Sequence, residues 1–190
     1  MTNMAIGSLL IYLLVTGCNS NSDKTLVSWV ELKDLSVKGG SILSIQSGEK
    51  FDGIVLGAIE SGKWTAGSED KKRSTLELDD AKAETEASIG KLIQLAIVYK
   101  GDDIIIYRNG ELYVTNKSEN IDLLIAEDNI VVFGARHNDE DDYINVEIED
   151  ARIYSLALTS AQLKLLKPNE PSKIEPYAWL SLIHISEPTR

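Results

Sequence analysis

Glu147 and Glu149, in the run "YINVEIEDARIY" at 143–154, are the two side chains in this sequence best spaced for catalysis. A glycosidase needs two carboxyl groups about 5 Å apart to retain configuration, or about 6.5–9.5 Å apart to invert it. Glutamates at i and i+2 of a strand share a face at a workable distance unless a bulge intervenes. Alternating glutamates on an outer face more often serve as solvated guards against edge pairing. Nucleophilic and zinc chemistry have little to build on. His137 and His184 are the only histidines, Cys18 is the only cysteine, and no G-x-S-x-G elbow occurs. "NDEDD" at 138–142 offers oxygen ligands to calcium, which takes about six to eight of them. For a sugar, Trp64 and Tyr113 are candidate aromatic platforms, and the loop "RHNDED" at 136–141 adds His137 and Asn138 as polar partners.

The elements that must position these residues are short and β-rich. Runs at 25–32, 40–46, 53–59, 63–67, 91–100, 129–136 and 143–154 carry β-branched residues broken by Gly, Ser, Lys and Asp. In "KLIQLAIVYK" at 91–100, Ile93, Leu95, Ile97 and Tyr99 share one face. "IIIYRNGELYV" at 104–114 reads as a hairpin with a type I′ turn at Asn109-Gly110. Simple register then pairs Arg108 with Glu111, Tyr107 with Leu112, Ile106 with Tyr113 and Ile105 with Val114, and makes Ile105, Tyr107, Leu112 and Val114 the core face. In the last strand Ile144, Val146 and Ile148 fall out of phase with Ala151 and Ile153, which predicts a bulge near Glu149-Asp150. Residues 68–90 read as a long loop in which "DDAKAETEAS" can hold a helical turn. The one good helix signal is "TSAQLKLL" at 159–166, with Thr159 and Gln162 at capping-box spacing and Pro168 beyond its end. Many short strands without βαβ alternation predict an all-β, two-sheet antiparallel sandwich with one short C-terminal helix.

The formal net charge of −11, with no Lys/Arg cluster, argues against nucleic acid and against attachment to anionic lipid. The apolar run "AIGSLLIYLLV" at 5–15 has signal-peptide length and is too short to span a bilayer. It ends in "VTGC", which resembles the bacterial lipobox and makes Cys18 the expected lipidation site, although "MTNM" lacks the usual basic residue. Residues 1–17 are thus the expected signal peptide and 18–24 a tether, and the membrane is a partner only through the lipid.

Two motifs carry a wider resemblance. "IIIYRNGELY" followed by "IEDARIYSLALTSAQLKLL" resembles the concanavalin A-like, laminin-G-like jelly rolls. Tyr107, Asn109, Gly110 and Leu112 match the first motif of that family. Ile148, Asp150, Arg152, Ile153, Tyr154, Ala157 and Leu158 match the second. The resemblance covers residues 25–167 and implies a jelly-roll sandwich. It also implies a structural calcium, with Asp150 as the candidate ligand. The E-x-D-x-x-E strand motif of the laminarinase-like members is absent.

"LVSWVEL", "GGSILSIQSGEKFDGIVLG", "KWTAGS" and "KPNEPSKIEPYAW" are similar to modules that precede family 32-type glycoside hydrolase domains. That likeness makes 168–179 a linker to a downstream catalytic domain. "LSLIHISEPTR" at 180–190 resembles translated adapter sequence, a non-native tail. The expected protein is a lipid-anchored module of the bacterial cell envelope, non-catalytic and glycan-binding, in a larger glycan-degrading chain. The alternatives are a glycanase using Glu147 and Glu149, or a structural or adhesion spacer.

Overall fold

The computed structural model describes residues 10–11, 23–36, 39–47, 50–58, 61–67, 84–117, 129–136 and 143–181. Two antiparallel sheets face one another. The first contains β1 (Leu10–Ile11), β9 (Ile130–Phe133), β3 (Ser41–Ser47), β4 (Lys50–Leu56) and β5 (Trp64–Gly67), in that spatial order. The second runs β11 (Ala178–Ser181), β10 (Val146–Tyr154), β2 (Lys24–Leu32), β6 (Leu92–Lys100), β7 (Asp103–Arg108) and β8 (Glu111–Lys117). Between them lies the main core, with Leu26, Val30, Ile45, Ile54, Leu95 and Ile97 almost wholly excluded from water. Ile93, Leu95, Ile97 and Tyr99 face it together, as the alternation predicts.

The outer face of the second sheet is also covered. Helix α1 (Ser160–Leu165) and its flanking segments lay Leu158, Leu163 and Leu166 over Val27, Trp29, Ala96, Val98 and Tyr154. The capping box forms as expected: Thr159 Oγ1 accepts from Gln162 N–H, and the Gln162 side chain accepts from Thr159 N–H at 2.8 Å. Beneath α1 sits the hairpin tip. Asn109 and Gly110 have φ of +53° and +73°, as a type I′ turn requires. A Cβ on Gly110 would lie 2.4 Å from Lys164 Cγ, so the tip is packed against the helix as well as tightly turned.

Three expectations are corrected. The hairpin carries a bulge at Tyr113: Tyr107 pairs with Leu112, but Ile106 pairs with Val114 and Ile105 with Thr115. Its core face is therefore Ile104, Ile106 and Val114, with Ile105 and Tyr107 packing under α1 and Leu112 exposed. Residues 84–88 carry no regular secondary structure, as the loop reading of 68–90 expects, and the rest of "DDAKAETEAS" lies outside the described residues. Lys24 is not tether: it opens β2 and is fully buried. Residues 168–179 are not a free linker, because Ala178–Ser181 pairs with β10 from Ile153 to Asp150, crossing the expected boundary at 180. The expected bulge in β10 is present, with the register shifting between Ile148 and Asp150 and Glu149 as the extra residue. At the other end of the chain, Leu10 and Ile11, from the expected signal peptide, pair with Val132 and Val131 of β9.

Candidate functional site

Beside the bulged hairpin, the segment 84–88 and strands β7 and β8 enclose a groove of about 590 Å³. Its walls include Glu84, Ser88, Arg108, Glu111, Leu112 and Tyr113. The volume falls within the usual range for small-molecule sites, about 300–1,000 Å³. Glu86 is its buried floor, 5 % exposed. One carboxylate oxygen accepts from Trp64 Nε1 at 3.1 Å and Arg108 Nε at 2.8 Å. The other accepts from Arg108 Nη2 at 3.0 Å and from the N–H groups of Ala87 and Ser88 at 3.1 and 2.8 Å. Burial pushes the Glu86 carboxyl up, but the hydrogen bonds from Arg108, Trp64 and Ser88 outweigh it and hold it at about 2. The same ion pair raises the Arg108 guanidinium.

Around this floor the wall groups are already oriented. Arg108 Nη2 also donates to Ser88 Oγ at 2.8 Å. Tyr113 donates its hydroxyl proton to Glu84 O at 2.6 Å and accepts from Trp64 N–H at 3.3 Å. Its bulge turns the half-buried ring toward β5. Leu112, 62 % exposed, forms an apolar lip, and Glu111 reaches Lys164 Nζ at 2.7 Å. The groove offers fixed donors and acceptors, one half-buried aromatic ring and one apolar side chain. Of its acids, Glu86 is held ionised against Arg108 and Glu111 is ion-paired with Lys164.

The residues singled out from sequence are scattered. Trp64 is 0 % exposed; it pairs with Leu56 across β4–β5 and faces the core with Ala66, so it cannot be a sugar platform. Tyr113 does line the groove. Glu147 is exposed and paired with Lys33 at 3.0 Å, whereas Glu149, the extra residue of the bulge, accepts from Asn169 Nδ2, so the two acids engage different partners. Asp150, the residue named for calcium, is engaged by protein donors. It is 1 % exposed and accepts from Arg152 Nε at 3.0 Å, Arg152 Nη2 at 2.7 Å, Asn169 N–H at 2.6 Å and Trp179 Nε1 at 3.0 Å. Arg152 in turn lies between the rings of Trp29 and Trp179, 5.0 and 4.6 Å from their centroids. No cluster of metal-ligating side chains occurs among the described residues. Cys18, His137, Asn138 and the rest of "NDEDD" lie outside them.

A second cavity, about 70 Å³ between the sheets, is lined by Leu43, Val131, Phe133, Ala151, Ile153 and Leu180 and lacks convergent polar groups. It is a packing gap. Sequence reasoning missed Glu86 and Arg108, which are 22 residues apart and joined only by the fold.

The sequence model of the concanavalin A-like lectin/glucanases superfamily matches residues 12–164. The chain belongs to that superfamily. Among solved concanavalin A-like structures, domain 4 of AbnA, a GH43 extracellular arabinanase from Geobacillus stearothermophilus in complex with arabinotriose, is similar at TM-score 0.55 and 16% identity, over 77% of this chain and 66% of that one. A heptameric SAP-like pentraxin from Limulus polyphemus is similar at TM-score 0.53 and 14% identity, over 84% of this chain and 79% of that one. A Trypanosoma rangeli sialidase gives TM-score 0.50 and 12% identity, over 76% of this chain but only 22% of the sialidase. At these identities the likeness establishes the concanavalin A-like fold alone. No curated protein matches the chain significantly.

Proposed function

We propose that this domain is a non-catalytic, glycan-binding module of a larger extracytoplasmic glycan-degrading protein, with the family 32-like parent that its sequence resembles. The groove between residues 84–88 and the bulged hairpin carries the reading. Sugars are bound by fixed hydrogen-bonding groups beside an aromatic or aliphatic surface, and Ser88, Arg108, Tyr113 and Leu112 supply that combination. The arabinotriose complex of the structurally similar arabinanase domain supports an oligosaccharide as the first ligand to try. The proposal includes lipidation at Cys18 and residence in the bacterial cell envelope. It also includes a calcium ion held by the carboxylates of "NDEDD".

Titration of arabino-oligosaccharides and a broad glycan panel against the whole chain tests the site. Leu112→Ala removes an exposed lip and leaves the core alone. It is expected to weaken binding about fivefold, equivalent to about 1 kcal/mol. Absence of binding across the panel would sink the reading. Release of reducing ends by the wild type would favour a glycanase instead.

A further inference from the structure

Lys24 and Asp52 meet inside the sandwich. Lys24 begins β2 in one sheet, opposite Tyr99 of β6, and Asp52 lies in β4 of the other sheet, opposite the core residue Ile45. Lys24 Nζ bonds directly to Asp52 Oδ2, and the two side chains are 0% and 1% exposed. The Tyr99 ring covers Nζ at 4.7 Å from its centroid. The carboxyl is held in place by its strand: a Cβ on neighbouring Gly53 would come within 2.8 Å of Leu43 O, so β4 is pressed against β3 there.

Two opposite charges buried this completely are expensive to keep charged, because neither retains its hydration. The reaction that this contact permits begins with passage of one proton from Nζ to the carboxylate, which leaves an amine against a carboxylic acid. Such a pair is set up for condensation. Its encounter entropy is already spent, which is worth a very large effective concentration. The site is also dry, so the water produced has little tendency to stay and reverse the step.

We propose that Lys24 and Asp52 become joined by a side-chain amide, an autocatalytic cross-link between the two sheets. The Nζ lone pair attacks Asp52 Cγ, a proton passes from Nζ to the departing hydroxyl, and the C–O bond breaks. One ammonium and one carboxylate become one amide and one water, with no oxidant, reductant or cofactor. The bond ties residues 24 and 52, which are 28 positions apart, in a chain whose single cysteine permits no internal disulfide.

Mass spectrometry of the denatured full chain tests this directly. The expected mass is one water below that of the sequence. A protease digest should yield a branched peptide joining Lys24 to Asp52, whatever has happened at the N-terminus. Lys24→Arg and Asp52→Ala should each restore the full mass and abolish the branched peptide. Folded wild type at full mass, with two separate linear peptides, overturns the proposal. So does a water loss that maps to an imide within Asp52-Gly53, since that product leaves Lys24 free. The wild-type measurement decides the matter even if neither variant folds.

Discussion

Glu86 carries its charge into a nearly water-free position and keeps it because five N–H groups point at it. A carboxyl whose folded-state value lies near 2, against 4.5 for an ordinary glutamate, binds its proton more weakly in the folded protein than in the unfolded chain. Its stabilisation is therefore complete above about pH 4.5 and disappears as the pH falls toward about 2. Glu86→Gln should flatten that acid limb, removing on the order of 2 kcal/mol at neutral pH once groove water screens the pair. Denaturant titrations of both proteins between neutrality and pH 2 read the difference. Parallel curves over this range would show that Glu86 is not the group responsible. The same substitution takes an ionic partner from Arg108, so it loosens the groove wall as well as the fold.

At the scale of elements, the turn, the helix cap and the β10 bulge were legible because each depends on neighbours within a few residues. Asn109-Gly110 needs only positive φ, Thr159 needs only Gln162, and the phase break at Glu149 is visible in one strand. The hairpin's core face was not legible, for a physical reason. The second sheet is covered on both sides, so Ile104 to Tyr107 are apolar throughout and alternation cannot tell inside from under-helix. Nothing local announces the bulge at Tyr113. Trp64 misled in the opposite sense, since its Gly and Lys neighbours suggest surface while its pairing with Leu56 sends it inward. β11 was hidden because four residues of "AWLS" gain their meaning from Arg152 and Asp150 on a strand already formed. Trp179→Ala removes both the stacking on Arg152 and the hydrogen bond to Asp150. It should destabilise the fold by about 2 kcal/mol, read as a lower denaturation midpoint at constant slope. A midpoint unchanged from wild type would mean that β11 is an ornament on a domain complete without it.

For the whole molecule, the two ends of the chain raise different questions. Lipidation at Cys18, as proposed, takes residues 1–17 away and with them the pairing of Leu10 and Ile11 to β9. Cells grown with an alkyne-tagged fatty acid should label the wild type and not Cys18→Ser. Amide exchange around Val131 and Val132 should be faster in the processed form than in the full chain, because β9 becomes an edge. Labelling of the serine variant, or equal exchange in the two forms, would count against this account of the N-terminus.

The placement of β2, β10 and β11 also has a mechanical consequence. β2 enters the sheet at Lys24, beside the Tyr154 end of β10, and β11 leaves at Ser181, beside Asp150 midway along β10. A pull applied to Lys24 and Ser181 therefore drags β2 and β11 in opposite directions along their own axes. Antiparallel ladder bonds lie across those axes, so the load falls on many of them at once, in shear, rather than opening them one at a time as a zipper. Such a geometry resists stretching far better than its thermodynamic stability alone implies, since forced unfolding is governed by the rate of rupture. A module seated between a surface and a glycan would meet that kind of load.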